Sequence, residues 1–248
     1  MTRAEKLTQI AENEQRVYDA GYEKGKSEGG SDGGFDDYFW NRYLNATDFQ
    51  YAFAGGGWTD NTFKPNKKIP ISGSNARYMF YESRVKKSPY LKELDFSQCG
   101  AAVQIFCQST VEELGVLDFS NVVTGWGGLN QTFYSCSNLR SIEKIIMPNT
   151  VLQNNYAFAG CNALEEVRFE GKLFGYENKF HQNFQWCPLS PASMKSIILC
   201  LNNYAGTDEA YCYKLTFTEE CWAALAADST APDGGTWREY VDSLGWDT

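Results

Sequence analysis

The sequence contains eight cysteines, and these residues could do the most kinds of chemistry, because a thiolate can attack a substrate or bind a soft metal ion. They stand at positions 99, 107, 136, 161, 187, 200, 212 and 221. Zinc ligands usually come in pairs about two to four residues apart, and the sequence has no Cys-x-x-Cys motif. Cys136, Cys161 and Cys187 recur at a regular step, which favours buried, reduced thiols. One or more disulfides and a metal site stay as alternatives.

His181, in "NKFHQNF", is the sole histidine and so the only imidazole that could activate a nucleophile. It falls in a connecting segment before Phe184, which favours a solvated loop residue. The glycine clusters "GGSDGG" and "AGGGW" lack the lysine and hydroxyl residue of a phosphate-binding loop. We therefore predict that the chain is not an enzyme and has no catalytic residues, cofactor or metal.

Pairs of acidic residues could act as general acid and base or bind calcium. They are Asp36 and Asp37, Glu112 and Glu113, and Glu165 and Glu166. The last two pairs occupy the same position before a predicted strand, which is typical of a solvated outer face. The segment "SDGGFDD" lacks the regular spacing of a calcium loop and is more typical of a flexible linker.

The overall composition favours a folded chain without a nucleic-acid groove. Apolar residues make up 43% of the chain and aromatic residues 15%, which suffices for a continuous core. The net charge is -9, and the basic stretches "KPNKK" and "RVKK" are short. No apolar run is long enough to span a bilayer and the N-terminal segment is polar, so we expect neither a signal peptide nor a membrane partner.

A phenylalanine recurs every 25 to 27 residues. The six positions are Phe53, Phe80, Phe106, Phe133, Phe158 and Phe184. A small residue follows three positions later, and these are Gly56, Ser83, Ser109, Cys136, Cys161 and Cys187. A fixed period of this length predicts stacked structural units, each too small to bury its apolar face alone.

The segments between the phenylalanines alternate apolar and polar residues, as in "LKELDFS", "VEELGVLDFS", "LRSIEKIIM" and "LEEVRFEG". This pattern predicts one short strand per repeat, followed by a turn or short helix. We therefore predict an α/β repeat solenoid, a short leucine-rich-repeat array of about six repeats, with an N-terminal helix and an α-rich C-terminal cap.

The period, the phrase "AFAGCNALEEVRF" at 157–169 and the "LDFS" segments resemble the BspA-like class of bacterial leucine-rich repeats. The resemblance covers residues from about 45 to 190 and implies a curved solenoid that serves as a non-catalytic binding surface. The proline of the usual "IPxxVxxIxxxAF" unit is mostly missing, and only "IIMPNTV" at 145–151 comes near it.

Composition shifts divide the chain into five predicted segments. They are an N-terminal helix at 1–24, a Gly/Ser-rich tether at 25–34, an aromatic cap at 35–48, the repeats at 49–190 and a C-terminal cap at 191–248. Leu7, Ile10, Val17 and Ala20 form a narrow apolar seam on the first helix, which favours a coiled coil or docking helix, with a solvated helix as the alternative.

The C-terminal segment begins with Ser190 before Pro191, a pattern typical of a helix start. The segment "CYKLTFT" predicts a strand. "TEECWAALAAD" and "TWREYVDSLGW" predict two short helices, separated by the turn segment "STAPDGG".

The layout of polar helix, tether and degenerate repeats also resembles proteins encoded among the tail genes of phages and prophages of gut Firmicutes. It implies a virion-associated adhesion module that binds a protein or glycan on a bacterial surface. The N-terminal helix would form a homo-oligomer or join a phage structural protein. The alternative is an intracellular protein-interaction scaffold, and the expected location is the virion or the bacterial cytoplasm.

If the strands line one face, their outward residues predict a mixed-charge binding stripe. Its members are Lys92, Glu93, Asp95, Glu112, Glu113, Arg140, Glu143, Glu165, Glu166 and Arg168. Tyr51, Tyr78 and Tyr156, each two residues before a phenylalanine, could stack on sugars, with packing between repeats as the alternative.

Overall fold

The computed structural model describes residues 48–65, 69, 71, 75–123, 128–148, 156–174, 181–210 and 213–248. A 3-10 helix at Pro89–Glu93 precedes three strands, β1 (Glu113–Asp118), β2 (Ser141–Ile146) and β3 (Glu166–Glu170). The later elements are β4 (His181–Asn183), α1 (Pro191–Leu199), β5 (Lys214–Thr216), α2 (Glu219–Asp228) and α3 (Trp237–Ser243).

The first three strands form a parallel sheet in the order β1-β2-β3. Leu114 lies opposite Ile142, which in turn lies opposite Val167, and these three side chains are buried. A second buried row consists of Leu117, Ile145 and Phe169. Between the two rows the register of β2 and β3 shifts, because β2 has one more residue there. The sheet therefore has one apolar face toward the core and one polar face.

The six recurring phenylalanines form a continuous column of buried rings. The distances between successive ring centroids, from Phe53 to Phe184, are 5.0, 5.2, 5.7, 5.1 and 4.9 Å. The column continues to Phe217, 5.6 Å from Phe184, which the sequence period did not predict. Offset stacking at these distances combines apolar burial with favourable ring geometry, so this column forms the centre of the core.

Each of the first five phenylalanines lies in a tight turn that contains two residues with left-handed backbone. The residue two positions before it has a φ of 53 to 59° in Tyr51, Tyr78, Gln104, Gln131 and Tyr156. The residue two positions after it also has positive φ, and these are Gly55, Glu82, Gln108, Ser135 and Gly160. The N–H group of the following small residue then donates to the phenylalanine carbonyl, as from Cys136 to Phe133 at 3.1 Å. The small residue is therefore the last residue of a hydrogen-bonded turn.

The predicted leucine-rich-repeat solenoid, with one strand in each repeat, is wrong. The described residues contain a three-stranded parallel sheet, a separate two-stranded sheet of β4 and β5, and three α-helices. Three of the four alternating segments form strands, but "LKELDFS" does not. Pro89 begins a 3-10 helix there, because its fixed φ suits a helix start. Within the described residues, Asp95 bonds the neighbouring segment, since its N–H donates to the Ile69 carbonyl and its carbonyl accepts from the N–H of Ile71.

The predicted elements after Pro191 are confirmed. The side chains of Ser190, Thr218 and Thr236 each accept a hydrogen bond from a backbone N–H at the start of α1, α2 and α3. Thr236 and Glu239 form a complete capping box, in which each side chain bonds the other residue's backbone. The predicted strand is β5, and it pairs in parallel with β4.

The predicted N-terminal helix, its seam residues, the tether and nearly all of the aromatic cap lie outside the described residues. So do Cys212 and the acidic pair at 36 and 37. Within the described part of the chain, no helix combines the length and apolar character needed to cross a bilayer.

Candidate functional site

An open groove of about 520 Å³ crosses the sheet of β1, β2 and β3. Ser141, Glu143 and Arg168 line it from the strands, and Lys92 of the 3-10 helix lines one side. Helix α1 lines the opposite side through Ala192, Ser193 and Ser196. The groove is therefore framed by two helical elements that lie on either side of the same short sheet.

The 3-10 helix can approach β1 because residue 115 is glycine. A Cβ atom on Gly115 would lie 2.4 Å from the carbonyl oxygen of Lys92, closer than any side chain tolerates. The Lys92 ammonium also pairs with the Glu113 carboxylate at 2.6 Å. This hydrogen bond and positive charge lower the pKa of Glu113. The pair fixes the helix on the strand and leaves Lys92 at the rim of the groove.

Helix α1 closes the open edge of the sheet with serine side chains. The Oγ of Ser193 accepts from the N–H of Val167 at 2.9 Å and lies 3.0 Å from the carbonyl oxygen of Glu165. One turn later, the Oγ of Ser196 accepts from the N–H of Phe169 at 3.2 Å. These hydroxyls bond backbone groups of β3 that a fourth strand would otherwise bond, so α1 ends the sheet.

The charged groups of the groove differ in whether they already have partners. Glu166 accepts hydrogen bonds from the hydroxyls of Ser190 and Ser193, at 3.0 and 3.3 Å. Arg168 and Glu143 are exposed, and neither forms an ion pair within the described residues. The groove thus offers one guanidinium and one carboxylate to a ligand.

The structure brings four of the ten predicted stripe residues into this groove, namely Lys92, Glu143, Glu166 and Arg168. The other six do not line it, and they are Glu93, Asp95, Glu112, Glu113, Arg140 and Glu165. Glu112 pairs instead with Lys87 at 3.2 Å, and Asp95 accepts from the backbone and hydroxyl of Ser97. Four of the predicted stripe residues therefore line one groove, and the other six charged residues lie outside it.

The residues of α1 that complete the groove, Ala192, Ser193 and Ser196, were not predicted. Ser190, Ser193 and Ser196 recur every three residues, which places them along one side of a helix. That spacing was visible in the sequence, but the function of the hydroxyls depends on the edge of β3, which only the fold places beside them.

Seven cysteines are described, and all seven are buried and free. Cys136 and Cys161 donate their thiol protons to the carbonyl oxygens of Phe106 and Phe133, at 2.8 and 3.1 Å. Burial raises the pKa of Cys136 to about 12 and that of Cys99 to about 11. These thiols are therefore protonated at neutral pH and act as small packing residues, as predicted.

The backbone of His181 lies in β4, opposite Lys214, and not in the loop that the sequence predicted. Across the described residues, no group of three or more His, Cys, Asp or Glu side chains is arranged to hold a metal ion.

No protein-family model matches the chain, and neither the search of curated proteins nor that of solved structures found a match.

Proposed function

We propose that this chain is a non-enzymatic recognition protein and that the groove between the 3-10 helix and α1 holds a segment of a protein on a bacterial surface. The groove carries this proposal because it is open, about 520 Å³ in volume, and exposes the charged groups of Arg168 and Glu143. A polypeptide presents charges of both signs along an extended backbone, so it can meet both groups at once.

Fixed walls support this function, since a preorganised site spends little binding energy on ordering its own residues. Gly115 and the Lys92–Glu113 pair hold one wall, and the serine contacts of α1 hold the other. The polar face between them combines short side chains, such as Ser141, with the longer Glu143 and Arg168.

The proposed location on a phage tail rests on the sequence layout. The sequence predicts a polar helix with a narrow apolar seam before a glycine-rich segment, and together they would suit attachment to a larger assembly. In this proposal the N-terminal segment attaches the chain and the groove faces the bacterium.

The test measures binding of the fluorescently labelled full chain to intact cells of gut Firmicutes. We expect saturable binding that protease treatment of the cells abolishes. Arg168→Glu should weaken it at least about tenfold, because a ligand carboxylate that meets the guanidinium would then face a like charge. Lys64→Glu makes the same charge reversal at an exposed lysine outside the groove and should bind like the wild type.

Two results would contradict the groove as the ligand site. One is equal binding by Arg168→Glu and the wild type. The other is binding that survives complete protease treatment of the cells, because the ligand would then not be a surface protein.

A further inference from the structure

The residues that flank the phenylalanine turns form a second region, which we call the turn face, and it is buried at Tyr51 and Gly55 and exposed at the end that contains Tyr156 and Trp186. It consists of the residues two positions before and two positions after each phenylalanine. The first column contains Tyr51, Tyr78, Gln104, Gln131 and Tyr156, and the second contains Gly55, Glu82, Gln108, Ser135, Gly160 and Trp186. The turn face does not include any residue of the groove.

Side chains in the first column contact one another from turn to turn. The rings of Tyr51 and Tyr78 stack at 4.8 Å with an angle of 10° between their planes. In the turns of Phe106 and Phe133, the side-chain amide of Gln104 donates a hydrogen bond to the side-chain amide oxygen of Gln131. Regular left-handed backbone at these positions holds the side chains in register, so the face is ordered over its length.

Two aromatic side chains at one end of the turn face are exposed to solvent. Tyr156 is 48% exposed and Trp186 is 58% exposed. Among the described residues, five large apolar side chains are exposed, and these two are the aromatic ones. Tyrosine and tryptophan are enriched at interfaces, because each joins a large apolar ring to a group that forms hydrogen bonds.

Hydrogen bonds and ring stacking place Trp186 beside the turn of Tyr156. The N–H of Cys187 donates to the carbonyl of Phe184 at 2.9 Å, as Cys161 does to Phe158 at 3.1 Å. Trp186 and Gly160 therefore occupy the same position in consecutive turns. The rings of Phe158 and Phe184 stack at 4.9 Å, so these two turns are direct neighbours.

Gly160 packs closely against the preceding turn at Ser135. A Cβ atom there would lie 3.1 Å from the Cα of Ser135, and φ is 82°, so both the space and the backbone favour glycine. The hydroxyl oxygen of Ser135 would lie 3.3 Å from such a Cβ atom, so Ser135 lies directly beside Gly160 in the second column, and the exposed Trp186 follows Gly160 in that column.

The chemistry of the turn face is nearly uncharged. Among the residues of its two columns, Glu82 alone is charged, in a chain with a net charge of -9. Glutamine amides and the serine hydroxyl both donate and accept hydrogen bonds. Aromatic rings together with such groups match a neutral sugar, which presents C–H groups on its ring faces and hydroxyls around its rim.

We propose that the end of the turn face binds a neutral glycan. Sugar rings stack on Trp186 and Tyr156, and Gln131 and Ser135 bond the sugar hydroxyls. The proposed site differs from the groove in position and in ligand chemistry, and it does not depend on the groove's function.

The experiment is native gel electrophoresis of the full chain through gels that contain one neutral polysaccharide each. The probes are yeast mannan, dextran, galactan, arabinoxylan and a mixed-linkage β-glucan. We expect at least one to slow the wild type, and we expect Trp186→Ala and Tyr156→Ala to weaken that effect at least about tenfold. Leu199→Ala, which truncates an exposed apolar residue on α1, is the matched control and should behave as wild type.

The polysaccharide should slow the Arg168→Glu variant as much as the wild type, because the groove is a separate site. The proposal is overturned if none of the five polysaccharides slows the chain. It is also overturned if the Trp186→Ala and wild-type chains are slowed equally. If Trp186→Ala instead changes the molecular mass measured by light scattering and no polysaccharide acts, the turn face joins two copies of the chain and the glycan proposal is wrong.

Discussion

The turns around the phenylalanines and the segments that connect them share one spacing but differ in how uniformly they fold. From Phe53 to Phe184 the rings stack without interruption, and most turns close with the same backbone hydrogen bond. The connecting segments instead form a 3-10 helix, four short strands and isolated bridges. Each turn closes its own hydrogen bond and also bonds the next turn, as from the N–H of Phe53 to the Met79 carbonyl at 2.7 Å and from the N–H of Phe106 to the Thr132 carbonyl at 2.9 Å. The turns therefore repeat both their local and their turn-to-turn bonds, whereas the connecting segments differ in which partners they bond.

The strongest test of the turns is Phe133→Ala, at the centre of the column. Its ring lies 5.7 and 5.1 Å from those of Phe106 and Phe158, so the variant leaves a cavity between them. We expect a loss of about 3 to 5 kcal/mol in the free energy of unfolding, measured in urea. Tyr134→Ala, at the half-buried next residue, should lose clearly less. Equal losses would show that the column is not the centre of stability.

The small residue of the turns can be tested with Cys161→Leu. Cys161 is fully buried, and extra methyl groups in a packed core cost about 1 to 3 kcal/mol. Cys161→Ser should be milder, because its hydroxyl can donate to the Phe133 carbonyl as the thiol does at 3.1 Å. Thermal unfolding would compare the three proteins, and a leucine variant as stable as the wild type would contradict the packing argument.

The Ser193→Ala variant tests whether α1 closes the edge of β3, one of the connecting segments. The variant leaves the N–H of Val167 without its acceptor in a buried position, which costs about 1 to 3 kcal/mol. Hydrogen exchange of the Val167 amide should become faster, while the amides of the phenylalanine turns keep their protection. Ser196→Ala is the comparison and should have a smaller effect, because Ser196 is half-buried and water can replace it. Unchanged exchange at Val167 would show that α1 does not close the sheet.

The smallest effect should come from Glu113→Gln, which removes the pair between β1 and the 3-10 helix. Exposed ion pairs stabilise proteins by about 0.2 to 1 kcal/mol, and salt weakens them. Lys92 lowers the folded-state pKa of Glu113, so the pair's contribution is fully present above the ordinary carboxyl pKa of about 4.3. It is lost as the pH falls through the lowered pKa.

The measurement is the stability difference between wild type and Glu113→Gln as the pH is lowered from neutral. Glu93→Gln, at an exposed residue of the same 3-10 helix, is the control and should show little difference at any pH. A difference between wild type and Glu113→Gln that grows toward low pH would contradict the assigned pair.

Local patterns in the sequence determined the phenylalanine turns, the buried thiols, three of the four alternating strands and the starts of α1, α2 and α3. Each is visible in the order of residues along the chain, such as Ser190 before Pro191 or the repeated step from Phe133 to Phe158. Four stripe residues of the groove were also predictable, because alternation in a strand places Glu143 and Arg168 on its outward side.

The tertiary structure alone decided how far the sheet extends and where the groove lies. Residues 91–97 have the alternation of a strand, but a strand also needs a bonded neighbour along its length, and Pro89 starts a helix there instead. At the opposite edge of the sheet, the hydroxyls of Ser193 and Ser196 bond the backbone of β3, although they lie 26 and 27 residues away from their partners in the sequence. Such long-range pairing depends on which segments the packed core brings together, and no local pattern contains that information.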